Sequence, residues 1–315
     1  MPIQFVLPFS KLGKTNVDIA GGKGASLGEM SQAGIPVPPG CVVLAGSFDQ
    51  FVKETGIDKK IEIELKNVNP KNIMSVDAVS ANLRKLIKNA KFPMDIGDEV
   101  VKEFLKLKSP FVAVRSSATA EDSSAASWAG ELESYLFVTK QKLLEAVKTC
   151  WSSLFTPRAI FYRIEKKLHK QKVSVAVVIQ KMVNSEIAGI AFTVHPVTKN
   201  RNHIVIEAGW GQGESVVSGR VTPDTYVYDK KTGGIVEVNI GSQRDMIIQK
   251  AGGGSKTVVV PSAKQEKQKL TGKQIIEIAK ICERIEKHYK YPQVIEWALE
   301  KGRFYIVQSR PITTL

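Results

Sequence analysis

The chain has 315 residues, of which 43% are hydrophobic and 24% are charged, a composition typical of a globular protein with two or three closely associated lobes. Its three cysteines are far apart and form no CxxC pair, which argues against a disulfide framework or a zinc site and predicts a reducing, cytoplasmic environment. The N-terminus has no basic lead-in, and the apolar run from Val175 to Ile179 is only strand-sized. We therefore expect neither a signal peptide nor a membrane partner.

The formal net charge of +14 predicts an anionic partner, and nucleic acid is the first class to consider. The lysines are scattered, however, and the densest run, from Arg163 to Lys172, contains a glutamate and is typical of the solvated end of a helix. The sequence has neither zinc-finger spacing nor an RNP-like aromatic motif. The charge therefore favours a basic, solvated surface, and we expect no nucleic-acid partner.

The first half of the chain is mostly helical in its pattern. A glycine-rich turn leads into a helix that ends at Gly34, because the prolines that follow prevent its continuation. The predicted elements are this turn and helix at Gly21–Gly34, a strand at Cys41–Ala45, helices over Ser47–Leu107, strands at Phe111–Arg115 and Tyr135–Val138, and helices at Lys140–Ser153 and Pro157–His169.

From Val173 onward the pattern changes to strands, in the segments VSVAVVIQ, IAGIAFTV, HIVIEAG, DTYVYD, GIVEVNI and DMIIQK. A helix at Thr271–Tyr289 precedes a final strand pair. This order predicts an α+β fold, with a helix-rich N-terminal lobe over residues 1–110 and a sheet-rich lobe over residues 111–315. Ligand chemistry is expected between the lobes.

The first segment that can carry chemistry is GGKGASLGEM, residues 21–30, which matches neither the P-loop nor the dinucleotide-binding spacing. Its glycines let the backbone approach an anion closely, and the N–H groups at the start of the following helix would point toward that anion. Lys23 would add a full positive charge. A helix start with an exposed lysine is the alternative interpretation.

The second segment is VAVRSS, residues 112–117. An arginine at the end of a buried strand, followed by two hydroxyl groups, is costly unless it faces an anion or a carboxylate. The small-residue stretch SSATAEDSSAAS could then close over a phosphate tail as a lid, although its composition fits a flexible linker equally well.

The third segment is the strand pair VIEWAL and RFYIVQSR. If the two form a hairpin centred on Gly302, Glu296 faces Gln308 and Val294 faces Arg310. Side-chain alternation then places Glu296, Gln308 and Arg310 on one face, which suits a magnesium–phosphate group. A solvated cross-strand Glu–Arg pair is the alternative.

Seven ordered segments together resemble the ATP-binding domain of the phosphoenolpyruvate synthase and pyruvate phosphate dikinase family, to which rifampicin phosphotransferase is related. The resemblance runs from about residue 10 to residue 313 and implies an ATP-grasp-type fold, in which two lobes close on ATP. The segments are DIAGGKGASLGEMSQAGIPVPPG, VAVRSSATAED, SWAGELESYLFV, VVIQKMV, AGIAFTVHPVT, IEAGWGQGESVVSG and IEWA with YIVQSRPIT.

By motif matching, the resemblance implies that Lys23, Arg115 and Arg310 bind the triphosphate and act in catalysis. Glu296 and Gln308 match the metal-binding positions, with Mg²⁺ as the implied ion and ATP as the implied substrate. The other implied nucleotide-binding residues are Gly130 and Ser134 of the phosphate-side loop, where Ser134 replaces the usual threonine, Gln180, Met182 and Val183 beside adenine, and Glu207 beside ribose.

In this family the terminal pyrophosphoryl group of ATP passes to a histidine, inorganic phosphate is lost, and the phosphohistidine then phosphorylates pyruvate. The resemblance therefore implies a phosphotransferase that carries out the ATP half-reaction. A phosphohistidine domain and a pyruvate-binding domain are expected on another chain or in a further part of a longer enzyme, since no histidine here matches the phosphorylated one. His195 lacks a base or an orienting carboxylate nearby in the sequence and is expected to be structural or superficial.

One position departs from the family pattern: Val294 stands where aspartate usually precedes the metal-site glutamate by two residues. The hypothesis is that Val294→Asp increases magnesium-dependent ATP turnover. Two other functions stay open, the ATP domain of a rifampicin phosphotransferase-like enzyme and a non-catalytic nucleotide sensor, because ATP-site motifs do not identify the acceptor.

Overall fold

A computed structural model of the chain describes residues 4–119, 133–165 and 174–313, together with the backbone of 122–123 and 126–127. The chain divides into two compact units. Unit 1 comprises Met1–Glu29 and Pro39–Met182, and unit 2 comprises Met30–Pro38 and Val183–Leu315. The boundary expected between residues 110 and 111 falls inside unit 1, because the strand that follows it joins the unit 1 sheet.

Unit 1 contains a five-stranded antiparallel sheet in the order β1-β2-β7-β3-β6, and a separate pair, β4 and β5. The strands are β1 Val6–Pro8, β2 Gly40–Val43, β3 Val112–Ala118, β4 Asp122–Ser123, β5 Ala126–Ser127, β6 Ser134–Val138 and β7 Val175–Lys181. The helices are α1 Val17–Gln32, which continues into unit 2, α2 Ala45–Glu54, α3 Asp58–Lys66, α4 Ile73–Asn89, α5 Met94–Lys106, α6 Leu143–Ser152 and α7 Pro157–Glu165.

The two faces of the unit 1 sheet are covered differently. Alternate residues such as Val114 and Ile179 belong to the main core, together with Leu83 of α4 and Trp151 of α6. The opposite face meets α1, since a Cβ atom on Gly24 would lie 3.0 Å from the side chain of Val42. The sheet therefore has one helix-packed face and one face, here called the α1 face, that carries the glycine-rich segment.

Unit 2 contains a six-stranded sheet in the order β11-β10-β9-β8-β14-β15 and a two-stranded sheet of β12 and β13. The strands are β8 Ile187–Phe192, β9 His203–Trp210, β10 Asp224–Asp229, β11 Gly234–Asn239, β12 Asp245–Gln249, β13 Ser255–Val259, β14 Gln293–Glu300 and β15 Arg303–Pro311. The helices are α8 Glu214–Val217, α9 Ser262–Gln265 and α10 Gly272–Tyr289.

Helix α10 covers one face of the six-stranded sheet. It begins with a capping box in which Thr271 accepts from the Gln274 N–H, and its apolar stripe contains Ile278 and Cys282. It packs on β9, β10, β11 and β14, and burial together with the nearby charge of Glu283 raises the pKa of Tyr228 on β10. Residues one position away from Tyr228 along β10 therefore point to the opposite side, here called the open face of unit 2, where the short helix α8 packs on β8 and β9.

The predicted α+β class is confirmed, and most predicted elements are present. The helical region predicted over Ser47–Leu107 consists of four helices, α2 to α5, separated by loops. β3 extends to Ala118, so Arg115 lies in the middle of a strand and not at its end. The C-terminal part of the helix predicted to reach His169 lies outside the described residues. Within the described ranges, no helix has the length and apolarity that a membrane crossing requires.

Candidate functional site

Four strands of unit 1 place one row of residues across the α1 face. Val42 pairs with Val178, Val178 with Arg115, and Arg115 with Ser134. Residues that lie directly opposite on neighbouring strands point to the same face, so Arg115 and the exposed Ser134 are neighbours there. Gln180 follows Val178 by two residues and shares this face, where it is 2% exposed.

The glycine-rich segment is tied to the same face by Ser117, two residues beyond Arg115. The Ser117 hydroxyl donates to the Ala20 carbonyl at 2.9 Å and accepts from the Gly24 N–H at 3.2 Å. Gly21 has φ +68°, and a Cβ atom there would lie 2.3 Å from the Ser117 carbonyl oxygen. Only glycine fits both requirements, which brings the first two predicted segments into direct contact.

These contacts change the predicted role of the helix start. The backbone of α1 leaves helical geometry at Gly21, so the regular helix begins just after it. The Gly24 N–H, which was expected to face an anion, is instead bonded to Ser117. Lys23 is half-buried, and it remains the cationic candidate in this segment.

The end of β7 carries the residues expected beside adenine. The Met182 N–H donates to the Phe111 carbonyl at 3.1 Å, so it is already engaged within unit 1. In unit 2, Val183 is buried in a small apolar cluster with Ala188 and Ala298, against which Tyr305 and Val307 pack. Gly130 lies outside the described residues.

The hairpin of β14 and β15 carries the predicted metal residues. Glu296 pairs with Gln308, and Val294 with Arg310, which confirms the predicted register at the site. Nearer the turn the prediction is wrong by one residue: a bulge after Glu296 makes Trp297 pair with Ile306. The two-residue turn at Lys301 and Gly302, both with positive φ, starts the hairpin in a different register, and the bulge restores the predicted one.

The same register extends across the unit 2 sheet. Glu296 pairs with Ile190 of β8, and Ile190 pairs with Glu207 of β9. Glu207 in turn pairs with Thr225 of β10, which precedes the α10-facing Tyr226 by one residue. Gln308, Glu296 and Glu207 therefore share the open face of unit 2, with Glu207 separated from Glu296 by one strand. Burial raises the pKa of the Glu207 carboxyl.

The donors at Glu296 and Gln308 fit a hard cation. The Gln308 Nε2 donates to Glu296 Oε1 at 2.9 Å, which holds the amide and the carboxylate together. Mg²⁺ is usually bound through one or two carboxylates together with substrate phosphates. Among the described residues, no group of three or more histidine, cysteine or acidic side chains could hold a metal ion by itself. The residues thus fit Mg²⁺ bound jointly with a phosphate group.

Among the described residues, the three cysteines and His195 are poor candidates for a nucleophile. Burial raises the pKa of Cys41, Cys150 and Cys282, so these thiols stay protonated at neutral pH. The His195 Nδ1 accepts the N–H groups of Val197 and Thr198, each at 3.2 Å, which is the structural role expected for it.

Sequence reasoning missed several residues of these faces. Ser117 was noted only as a hydroxyl, although its contact with Ala20 and Gly24 spans more than ninety positions and leaves no local signal. Ala298 could have been found, because it follows Glu296 by two residues and so shares its face.

The α1 face of unit 1 carries a glycine-rich loop, an arginine and a serine, and the open face of unit 2 carries a carboxylate–amide pair and an arginine. Each set consists of groups that are typical of phosphate-binding proteins. A model of the family described as "Pyruvate phosphate dikinase, AMP/ATP-binding domain" matches residues 17–315. The chain belongs to this family.

Curated relatives support the same family. The chain is 47% identical over 320 residues to a probable phosphoenolpyruvate synthase of Methanocaldococcus jannaschii and 43% identical over 362 residues to the phosphoenolpyruvate synthase of Pyrococcus furiosus, with 99% and 100% of this chain covered. It is 39% identical over 315 residues to a rifampicin phosphotransferase of Bacillus cereus, with 99% covered. The chain spans only 27%, 44% and 36% of these three proteins.

A solved structure of D-alanyl-alanine synthetase A from Vibrio cholerae is also similar, at 13% identity and a TM-score of 0.31, over 70% of this chain and 47% of that one. A score this low supports no conclusion about the fold.

Proposed function

We propose that this chain binds ATP with Mg²⁺ and transfers the terminal pyrophosphoryl group of ATP to a histidine on a separate domain or chain. The observation that carries the proposal is the hydrogen-bonded pair of Glu296 and Gln308, with Arg310 on the same face, in a chain of the AMP/ATP-binding family. A carboxylate and an amide oxygen beside a guanidinium group are suited to a magnesium–phosphate group.

The proposed catalysis consists mainly of positioning and charge neutralisation. Phosphoryl transfer spreads negative charge over the phosphate oxygens, and fixed cations stabilise that charge. We assign this role to Lys23 and Arg115 in unit 1 and to Arg310 in unit 2. Ser134, opposite Arg115, is assigned as a hydrogen-bond donor to phosphate, with Gly130 as part of the same loop. Magnesium, when bound, neutralises phosphate charge at Glu296 and Gln308.

The remaining nucleotide contacts are assigned by the same reasoning. Gln180, Met182 and Val183 are proposed for adenine, and Glu207 for ribose. Because the Met182 N–H is bonded to Phe111, we assign the adenine contact to the other groups of Met182. An ATP-grasp-type fold is part of this proposal and is supported by the helix-rich and sheet-rich organisation of the two units.

The complete reaction would convert ATP, pyruvate and water to AMP, phosphoenolpyruvate and phosphate. It requires a phosphohistidine domain and a pyruvate-binding domain, and the greater length of the relatives supports their existence outside this chain. We place the reaction in the cytoplasm, which the three free, buried cysteines support.

The proposal is tested by incubating the purified chain with ATP and Mg²⁺, with and without a separately produced phosphohistidine domain. AMP and phosphohistidine are expected only when both proteins are present. Glu296→Gln should abolish both products, whereas Glu300→Gln, four residues further along β14, should not. Tight ATP binding without AMP in either reaction would favour the nucleotide sensor.

A rifampicin phosphotransferase-like activity is the second candidate, because the chain is 39% identical to such an enzyme. The two candidates differ in the final acceptor. Once phosphohistidine is detected, product analysis with pyruvate or with rifampicin as the acceptor separates them, and phosphoenolpyruvate is the expected product.

A further inference from the structure

Glu133 immediately precedes Ser134, and its carboxylate is engaged by two side chains. Arg84 of α4 forms an ion pair with it, in which the two side chains are only 27% and 26% exposed. The Tyr135 hydroxyl donates to the other carboxylate oxygen. Burial and this hydrogen bond raise the pKa of Tyr135, which keeps the phenol protonated as a donor. The Glu133 carboxylate is thus fixed from two directions.

The backbone carbonyl of Glu133 is fixed as well. It accepts from the Ser116 N–H at 3.1 Å and from the Ser116 hydroxyl at 3.0 Å. Ser116 directly follows Arg115, and Ser134 directly follows Glu133. These bonds therefore join β3 to β6 at the pair formed by Arg115 and Ser134.

The clamp and the phosphate candidates lie on opposite faces of the sheet. Tyr135 pairs with Val114, which belongs to the helix-packed core, and Glu133 shares that side with Tyr135 because it is two residues away. Arg115 and Ser134 point to the α1 face. Glu133 therefore acts on these residues through the backbone and not by touching a nucleotide.

We propose that Arg84, Glu133 and Tyr135 form a clamp that positions Ser134 and Arg115 for the phosphates of ATP, an inference that rests on the proposed function. The physical reason is the cost of breaking the clamp. Removing one partner leaves a largely buried charge uncompensated, and the strand end shifts to relieve it. Small displacements of positioning groups strongly weaken an interaction that depends on orientation.

The test compares ATP with adenosine, which lacks the phosphates. Dissociation constants are measured for the full chain and for Glu133→Gln, by calorimetry for ATP and by ligand-observed NMR for adenosine. We expect the ATP dissociation constant to rise about tenfold and that of adenosine to change by less than about twofold. A merely structural role of Glu133 would not change the ratio of the two constants.

The matched control is Glu103→Gln, which breaks an ion pair with Lys106 within α5 of the same unit. It should leave both constants unchanged. If Glu133→Gln does not fold, Tyr135→Phe replaces it, since this change removes one hydrogen bond and keeps the ion pair. Tyr135→Phe should weaken ATP binding selectively, but less.

Two results would overturn the clamp while leaving the proposed function intact: an unchanged ATP constant in the variants, or equal losses for ATP and adenosine. Failure of the unaltered chain to bind ATP would instead overturn the proposed function, and the clamp with it.

Discussion

At the scale of single residues, Val294 occupies the position where the family resemblance implies an aspartate. On β14 it lies between Phe192 of β8 on one side and Arg310 of β15 on the other. It shares the open face of unit 2 with Glu296. An apolar side chain here leaves the proposed magnesium site with one carboxylate on this strand.

We predict that Val294→Asp raises magnesium-dependent ATP turnover in the presence of the phosphohistidine domain, because a second carboxylate adds a hard ligand beside Glu296. The rate is measured as AMP formed over a range of Mg²⁺ concentrations. Val294→Asn, which has a similar shape but no charge, should give a smaller increase. An unchanged or lower rate for Val294→Asp would count against a deficit of metal ligands.

Glu207 gives a prediction about pH. Burial raises its pKa, so the folded chain favours the protonated form more than the unfolded chain does. This group therefore opposes folding at pH values above its folded pKa, and the penalty disappears below its unfolded pKa.

Glu207→Gln should consequently increase the free energy of unfolding of the ligand-free chain at pH 7, and the increase should shrink as the pH falls toward about 4. Urea denaturation at the two pH values measures both differences. Glu237→Gln, at an exposed position of β11, should leave the free energy of unfolding unchanged at both pH values. A destabilised Glu207→Gln variant at pH 7 would show that an unrecognised partner stabilises the carboxylate.

At the scale of elements, α1 depends on Gly21. The residue combines φ +68° with a Cβ direction that points into the backbone of Ser117. The kink it allows lets the Ser117 hydroxyl bind both Ala20 and Gly24.

Gly21→Ala should therefore destabilise the chain by more than the roughly 1–2 kcal/mol that a positive φ costs an L-residue, because the Ser117 backbone must also move. Gly34→Ala is the matched control, since Gly34 has φ +70° but nothing within 4 Å of its Cβ direction. Urea denaturation measures both variants. If the two variants lose equal amounts of free energy of unfolding, the displacement of the Ser117 backbone costs nothing.

The hairpin of β14 and β15 shows what a strand pattern does and does not predict. Alternation identified the face shared by Glu296 and Gln308 correctly. The bulge beyond Glu296 was not predicted, because the alternation of side chains along the two strands gives no local sign of an extra residue on β15.

At the scale of the whole molecule, long-range polar contacts hold distant segments together. Asp224 and Lys269 form an ion pair at 2.7 Å in which both side chains are fully buried. Asp224 also accepts from the Tyr226 hydroxyl at 2.6 Å and from the Gly241 N–H at 2.9 Å. This network joins β10 to the segments before β12 and before α10.

Asp224→Asn should lower the free energy of unfolding by about 3–5 kcal/mol, because it leaves the Lys269 ammonium buried without its counter-charge. The measurement is urea denaturation at constant pH. Glu62→Gln, which breaks an exposed ion pair with Lys66, should cost no more than about 1 kcal/mol. Adding Lys269→Met to Asp224→Asn should restore part of the lost free energy of unfolding. If the double variant is no more stable than Asp224→Asn, the loss comes from the broken hydrogen bonds and not from the unpaired charge.

The sequence by itself determined the α+β class, most strands, the final hairpin and the family, because these depend on side-chain periodicity and on motifs a few residues long. Tertiary structure alone decided that Ser117 would cap the glycine-rich loop, that Arg84 would reach Glu133, and that β3 would pair with β7. The pairing of β3 with β7 belongs to the strand order β1-β2-β7-β3-β6, and the other two contacts join segments far apart in the sequence, so that long-range packing selects all three. Local periodicity specifies which face of a strand is buried, but not which strand becomes its neighbour.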